Sequence, residues 1–206
     1  MSEAAGTSPG TAPSPSTGTA PRRHFWERDH TGGRPDGADL AALRRGVGRA
    51  PGEAPQMWRC YTTLTADGKI SPRLQAEHVA LTLYAIHQQS LSVPAHQVGI
   101  GLGTAALRLH DSGSFSPDAV DRRFNTAATA TGLDEAAYHL RGLVRQFRQL
   151  TIGLDYTALW HDLIDWQNPS SIGEVRRRWG SQYFFRPRRG ETAGAAAADA
   201  GAPGTS

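Results

Sequence analysis

From Asp36 to Tyr183 the apolar residues recur three and four positions apart and almost nowhere alternate. Backbone hydrogen bonds in such a chain close within segments rather than between strands, so the fold is all-α. Arg22 to about His30 holds Phe25 and Trp26 and predicts a short helix, followed by a Gly-Gly-Arg-Pro turn. Asp36 is placed to cap a helix carrying Leu40, Leu43 and Val47, closed by Gly46 and Gly48 with Pro51 beyond. A short helix over 53–64 presents Met57, Tyr61 and Leu64. Ser71-Pro72 opens the next, over 72–90, as cap and first helical residue. Its Leu74, His78, Leu81, Leu83, Ala85 and Ile86 make it the central core helix.

A helix over 100–110 offers Leu102, Ala106 and Leu109, and Ser116-Pro117-Asp118 starts another bearing Val120, Phe124 and Ala127. The most regular runs over 134–150, with Leu140, Leu143, Val144, Phe147 and Leu150. Leu154-Asp155 begins a helix with Leu159, Leu163 and Trp166, and Ser170 or Ser171 caps a last one with Ile172, Val175, Trp179 and Tyr183. The expectation is a bundle of eight to nine helices in two small packed lobes dividing near residues 90–115, spanning 21–189. Residues 1–20 and 190–206 have too little apolar surface to offset the entropy of ordering and are expected as disordered tails.

No stretch reaches the roughly 18 apolar residues of a membrane span and no apolar signal segment opens the chain, so a cytoplasmic location with no membrane partner is expected. Cys60 is the single cysteine, which excludes an internal disulfide and a thiolate zinc cluster. No His-Glu-x-x-His pair occurs among the eight histidines, and His161 with Asp165 reads as a half-buried, satisfied histidine rather than a metal pair. Gly99-Ile100-Gly101-Leu102-Gly103-Thr104 lacks the final glycine and the preceding strand of a dinucleotide loop and reads as a connector entering a helix. No base is committed to Cys60. No catalytic centre, metal or cofactor is expected.

The arginines carry the functional signal. Residues 21–190 hold all 22 basic side chains against 16 acids, and 21 of the 22 are arginine. Arginine in place of lysine is also what GC-rich coding writes, so position is the criterion. Arg141, Arg145 and Arg148 each follow a core residue by one place, a rotation of roughly 100° on a helix. They form a positive stripe beside the dry one, with no acid interleaved. Arg176, Arg177 and Arg178 make a second cluster, Arg44, Arg45 and Arg49 a third, Arg122 and Arg123 a fourth. Four clusters on a small bundle point to a phosphate-binding surface.

Several segments then match in order and spacing: Leu43-Arg44-Arg45-Gly46-Val47-Gly48-Arg49 through Met57, Gly101-Leu102-Gly103, Asp121-Arg122-Arg123-Phe124-Asn125, His139-Leu140-Arg141-Gly142-Leu143-Val144, Leu154-Asp155-Tyr156 and Arg177-Arg178-Trp179. From about Phe25 to Phe185 the chain resembles the CasB small subunit of the type I-E CRISPR Cascade complex. The resemblance implies a non-catalytic helical subunit, two copies of which lie head to tail beside crRNA-bearing backbone subunits and the large subunit. A basic groove there holds the displaced non-target DNA strand and keeps the R-loop open. Base pairing with the guide reads the sequence, so such a subunit grips backbones without choosing bases.

Arg44, Arg45, Arg49, Arg122, Arg123, Arg141 and Arg176 to Arg178 fall where that family is basic. Thr104 and Gly142 stand where its members often carry a basic residue, and connector 88–99 lacks Lys and Arg, so the positive path is expected to be shifted or thinner. The competing reading is a helix-turn-helix regulator of duplex DNA, with Gln146 and Gln149 as base readers. A purely protein-binding adaptor leaves the arginines unexplained.

Overall fold

The computed structural model describes residues 23–30 and 33–185. The two expected tails lie outside them. Among the described residues there are seven α-helices, two 3-10 helices and no strand: α1 (Gly37–Arg44), α2 (Pro72–Gln88), α3 (Leu102–Asp111), α4 (Pro117–Thr129), α5 (Leu133–Gln149), α6 (Tyr156–Trp166) and α7 (Ile172–Phe184). The 3-10 helices are Phe25–Glu27 and Pro55–Cys60. The all-α expectation holds.

Starts read from sequence are built as chemistry demands. The Asp36 carboxylate accepts from Ala38 N, Ser71 Oγ from Leu74 N, and Asp155 from both Thr157 N and Ala158 N. Ser171 occupies the cap position of α7 but makes no side-chain cap bond.

Helix α2 lies at the centre, against α1, α5 and α6. From Ala76 to Gln88 every residue is buried, so it is enclosed on all faces rather than along a stripe. Its buried polar side chains bond inside the protein, except that His87 Nε2 has no hydrogen-bond partner among the described residues. Glu77, fully buried, accepts from the backbone N–H and hydroxyl of both Thr62 and Thr63, and from His24 Nδ1 at 3.1 Å. Burial alone raises the Glu77 pKa, but these donors outweigh it and hold the carboxyl below its ordinary value.

That clamp explains one departure from the expected elements. The segment expected as a helix over 53–64 is 3-10 only over Pro55–Cys60. Thr62 and Thr63 give their N–H groups to Glu77, so the turn stops and Leu64 is left 46% exposed instead of joining the core. Near the N-terminus the described helix is Phe25–Glu27, opened by a capping box in which Glu27 accepts from His24 N and ended by extended backbone at Arg28, while Trp26 Nε1 bonds Thr157 Oγ1 across the fold at 2.9 Å.

Helices α3, α4 and α7 pack together, and α5 touches α2, α3 and α4. Gly103 permits the α3–α7 crossing: a Cβ there would stand 2.2 Å from the Trp179 carbonyl oxygen. Gly103 N donates to Gln182 Oε1, and Gly99 N to Asp155 Oδ2. The glycine-rich run thus serves helix packing and capping. Among the described residues no helix is long and apolar enough to cross a membrane.

Candidate nucleic-acid interface

Helices α4 and α5 pack through Val120, Phe124, Ala127, Leu140 and Val144, all buried. Beside these core residues, side chains of both helices line a cleft of about 650 Å³. Arg122 and Arg123 come from α4, Arg141 and Arg145 from α5, and Val47 from the turn after α1 closes one end. Thr126, Tyr138, His139 and Gly142 complete the lining, which contains no acid. Two clusters that stand apart in sequence are one site in space.

Arg141 also lines a second cleft with Arg49, so the positive path continues toward the 45–51 turn, past Asp134 and Glu135 on its far wall. Glu135 is occupied in capping α5, accepting from Thr131 N and Oγ1 at 2.7 and 2.9 Å. Arg44 is half-buried in the last turn of α1 and Arg45 is exposed beside it. Neither lines the α4–α5 cleft.

Two arginines of α7 are engaged elsewhere. Arg178 grips the buried Asp162 of α6 through Nε at 3.0 Å and through Nη2, and Trp179 Nε1 bonds the other carboxylate oxygen at 2.6 Å. Burial raises the Asp162 pKa, and the bonds from Trp179 and Arg178 only partly oppose it. Arg176 donates to the Ala130 carbonyl at 2.9 Å and lies over the Trp166 ring. Arg177 is exposed. Arg148, at the foot of the α5 stripe, turns inward to Ile86 O and Gln89 Oε1.

Tyr138 is the cleft residue that sequence reasoning missed. It is 64% exposed, with the Arg141 guanidinium over its ring at 5.3 Å. The available signal was an aromatic residue lying off the apolar stripe and one turn before Arg141.

The other chemistry weighed from sequence has its place in the fold. Cys60 is fully buried, which pushes its thiol up to about 11, with the Asp39 carboxylate adding to the shift. His161 is exposed rather than half-buried. No group of three or more metal-ligating side chains gathers among the described residues. Gln146, a base reader in the duplex-DNA alternative, is buried, and only Gln149 reaches solvent.

The family model described as CRISPR-associated protein Cse2 matches residues 39–184. Among solved structures, CasB from Thermobifida fusca is 32% identical over 71% of this chain and 83% of its own, with a TM-score of 0.58. CasB from Thermus thermophilus is 28% identical over 71% and 85%, with a TM-score of 0.55. A chain of a CRISPR RNA-guided surveillance complex is 26% identical over 79% and 88%, with a TM-score of 0.56. Among curated proteins none matches significantly.

Proposed function

The chain belongs to the CRISPR-associated Cse2 (CasB) family of type I-E systems, and from that premise we propose that it is the non-catalytic small subunit of a Cascade complex, holding nucleic-acid backbones on its arginine surface. The observation that carries the reading is the acid-free cleft in which Arg122, Arg123, Arg141 and Arg145 converge. Guanidinium groups in such a row suit successive phosphates and attract a polyanion without selecting its sequence. Arg49 extends the row, and Arg44, Arg45 and Arg177 supply outlying charge.

In this proposal the bound strand is the displaced non-target strand, with crRNA and target strand nearby. Its retention slows R-loop collapse. The partners are the backbone and large subunits and a second copy of this chain, in the cytoplasm. Arg176 and Arg178 contribute through the placement of α7, since their side chains are already engaged within the fold. The lobe division near 90–115 stays part of the proposal, supported by the grouping of α3, α4 and α7 on one side and α1, α2 and α6 on the other, with α5 touching both sets and α7 also packed on α6.

The test is co-expression of the tagged chain with the other type I-E subunits and a crRNA array, then R-loop lifetime measurements on the purified complex. Co-elution in one large particle with short, discrete RNA is expected. Arg141→Ala with Arg145→Ala should leave assembly intact and shorten R-loop lifetime. A tagged chain that elutes alone and free of RNA removes the Cascade reading. An unchanged lifetime in the double variant removes the assignment of the cleft.

A further inference from the structure

We propose that Tyr138 is a stacking platform for an unpaired base of the DNA strand held in the α4–α5 cleft. The inference rests on the reading of that cleft given above and adds a means of telling an open strand from a duplex. Tyr138, Arg141, Gly142 and Arg145 stand at intervals of three, four and seven, so they share one face of α5. Tyr138 keeps 64% of its surface exposed even with Arg141 over the ring, and it faces the same cleft as Arg122 and Arg123.

One turn further along, Gly142 has no atom within 4 Å of where a Cβ would stand. The wall beside the ring is therefore open. His139 meets the Tyr138 ring edge-on at 5.2 Å, which helps hold its orientation. Phosphates need only the arginines; an exposed aromatic ring with open space beside it suits a flat, apolar base. Stacking of this kind is blind to sequence, because every base has a face. It is sensitive to pairing, because a duplex keeps its base faces stacked inside.

The experiment measures affinity of the full chain for single-stranded oligothymidylate and for a duplex of equal length at low salt. The proteins compared are wild type, Tyr138→Ala, Tyr138→Trp and the Arg122→Ala, Arg123→Ala pair. Tyr138→Ala is expected to weaken single-strand binding roughly tenfold, within the range for one base on one aromatic, and to leave duplex binding unchanged. Tyr138→Trp should bind the single strand as well as wild type. The arginine pair should weaken both ligands.

If Tyr138→Ala binds the single strand like wild type while the arginine pair loses it, stacking is overturned and the cleft reading survives. If Tyr138→Ala weakens both ligands equally, the ring acts only by placing Arg141, and stacking is again overturned. If the arginine pair changes nothing, or wild type binds neither ligand, the cleft reading itself falls and takes the stacking inference with it.

Discussion

Gly103 shows how much one missing atom decides. The α3 and α7 backbones approach so closely there that any side chain meets the Trp179 carbonyl, which belongs to a helix backbone and has nowhere to move. Gly103→Ala is expected to destabilise the fold by about 2 kcal/mol or more, read as a lower urea midpoint at unchanged slope. A midpoint equal to wild type would show that α7 shifts freely and that the crossing is not tight. Gly46 differs in kind: its close neighbours are the Met57 side-chain end and the His78 ring, of which the thioether can swing away. From sequence, Gly101 and Gly103 are merely part of a glycine-rich run. Their role depends on Trp179 and Gln182, nearly eighty residues away, and no local pattern announces that.

At the level of helices, the same residue type does opposite work on α4 and α7. Arg122→Ala with Arg123→Ala should flatten the salt dependence of single-strand binding by roughly 0.7 in log–log slope for each phosphate the variant no longer holds, with thermal stability unchanged. Arg178→Ala should do the reverse. It strips the buried Asp162 of a partner and costs about 1–3 kcal/mol, discounted because the Arg178 side chain is 43% exposed, while the salt slope stays put. Equal salt slopes across wild type and both variants would contradict this division.

The contrast also marks how much of the fold and the cleft is legible in the sequence. Helices α2, α4, α5 and α6 follow from periodicity and starting residues, because those signals are local. The Arg141 and Arg145 stripe is legible for the same reason. That it faces Arg122 and Arg123 follows from how α4 crosses α5, and that Arg178 is neutralised follows from Asp162 on another helix. The 3-10 turn at Pro55–Cys60 departs from the expected helix because the group that draws off the next N–H donors, Glu77, is 14 and 15 residues further on than Thr63 and Thr62.

Across the whole molecule, the enclosed α2 makes stability depend on pH. Burial, with the Arg148 charge adding, pushes His87 down to about 4, and its Nδ1 meets the Tyr156 hydroxyl at 3.0 Å. Between pH 6.5 and 4 the unfolded chain takes up a proton that the folded chain refuses, so acidification over that window should cost up to about 3 kcal/mol. Buried His78 and half-buried His96 are lowered too and act in the same direction. Glu77, held below its ordinary value, stabilises fully above about pH 4.5 and loses that contribution as pH falls further. Asp162, raised by burial, works the other way. Urea midpoints at about pH 7, 5.5 and 4.5 should fall for wild type and fall less for His87→Leu; equal slopes would remove His87 from the account. The bond from Trp26 to Thr157 adds a matter of timing, because it spans 131 residues of sequence. At about 5–20 residues per second, a ribosome takes roughly 7–26 s to deliver the second partner after the first. For that interval the nascent chain must carry Phe25 and Trp26 without the surface that finally covers them, and a chaperone that shields aromatic residues has its opening there.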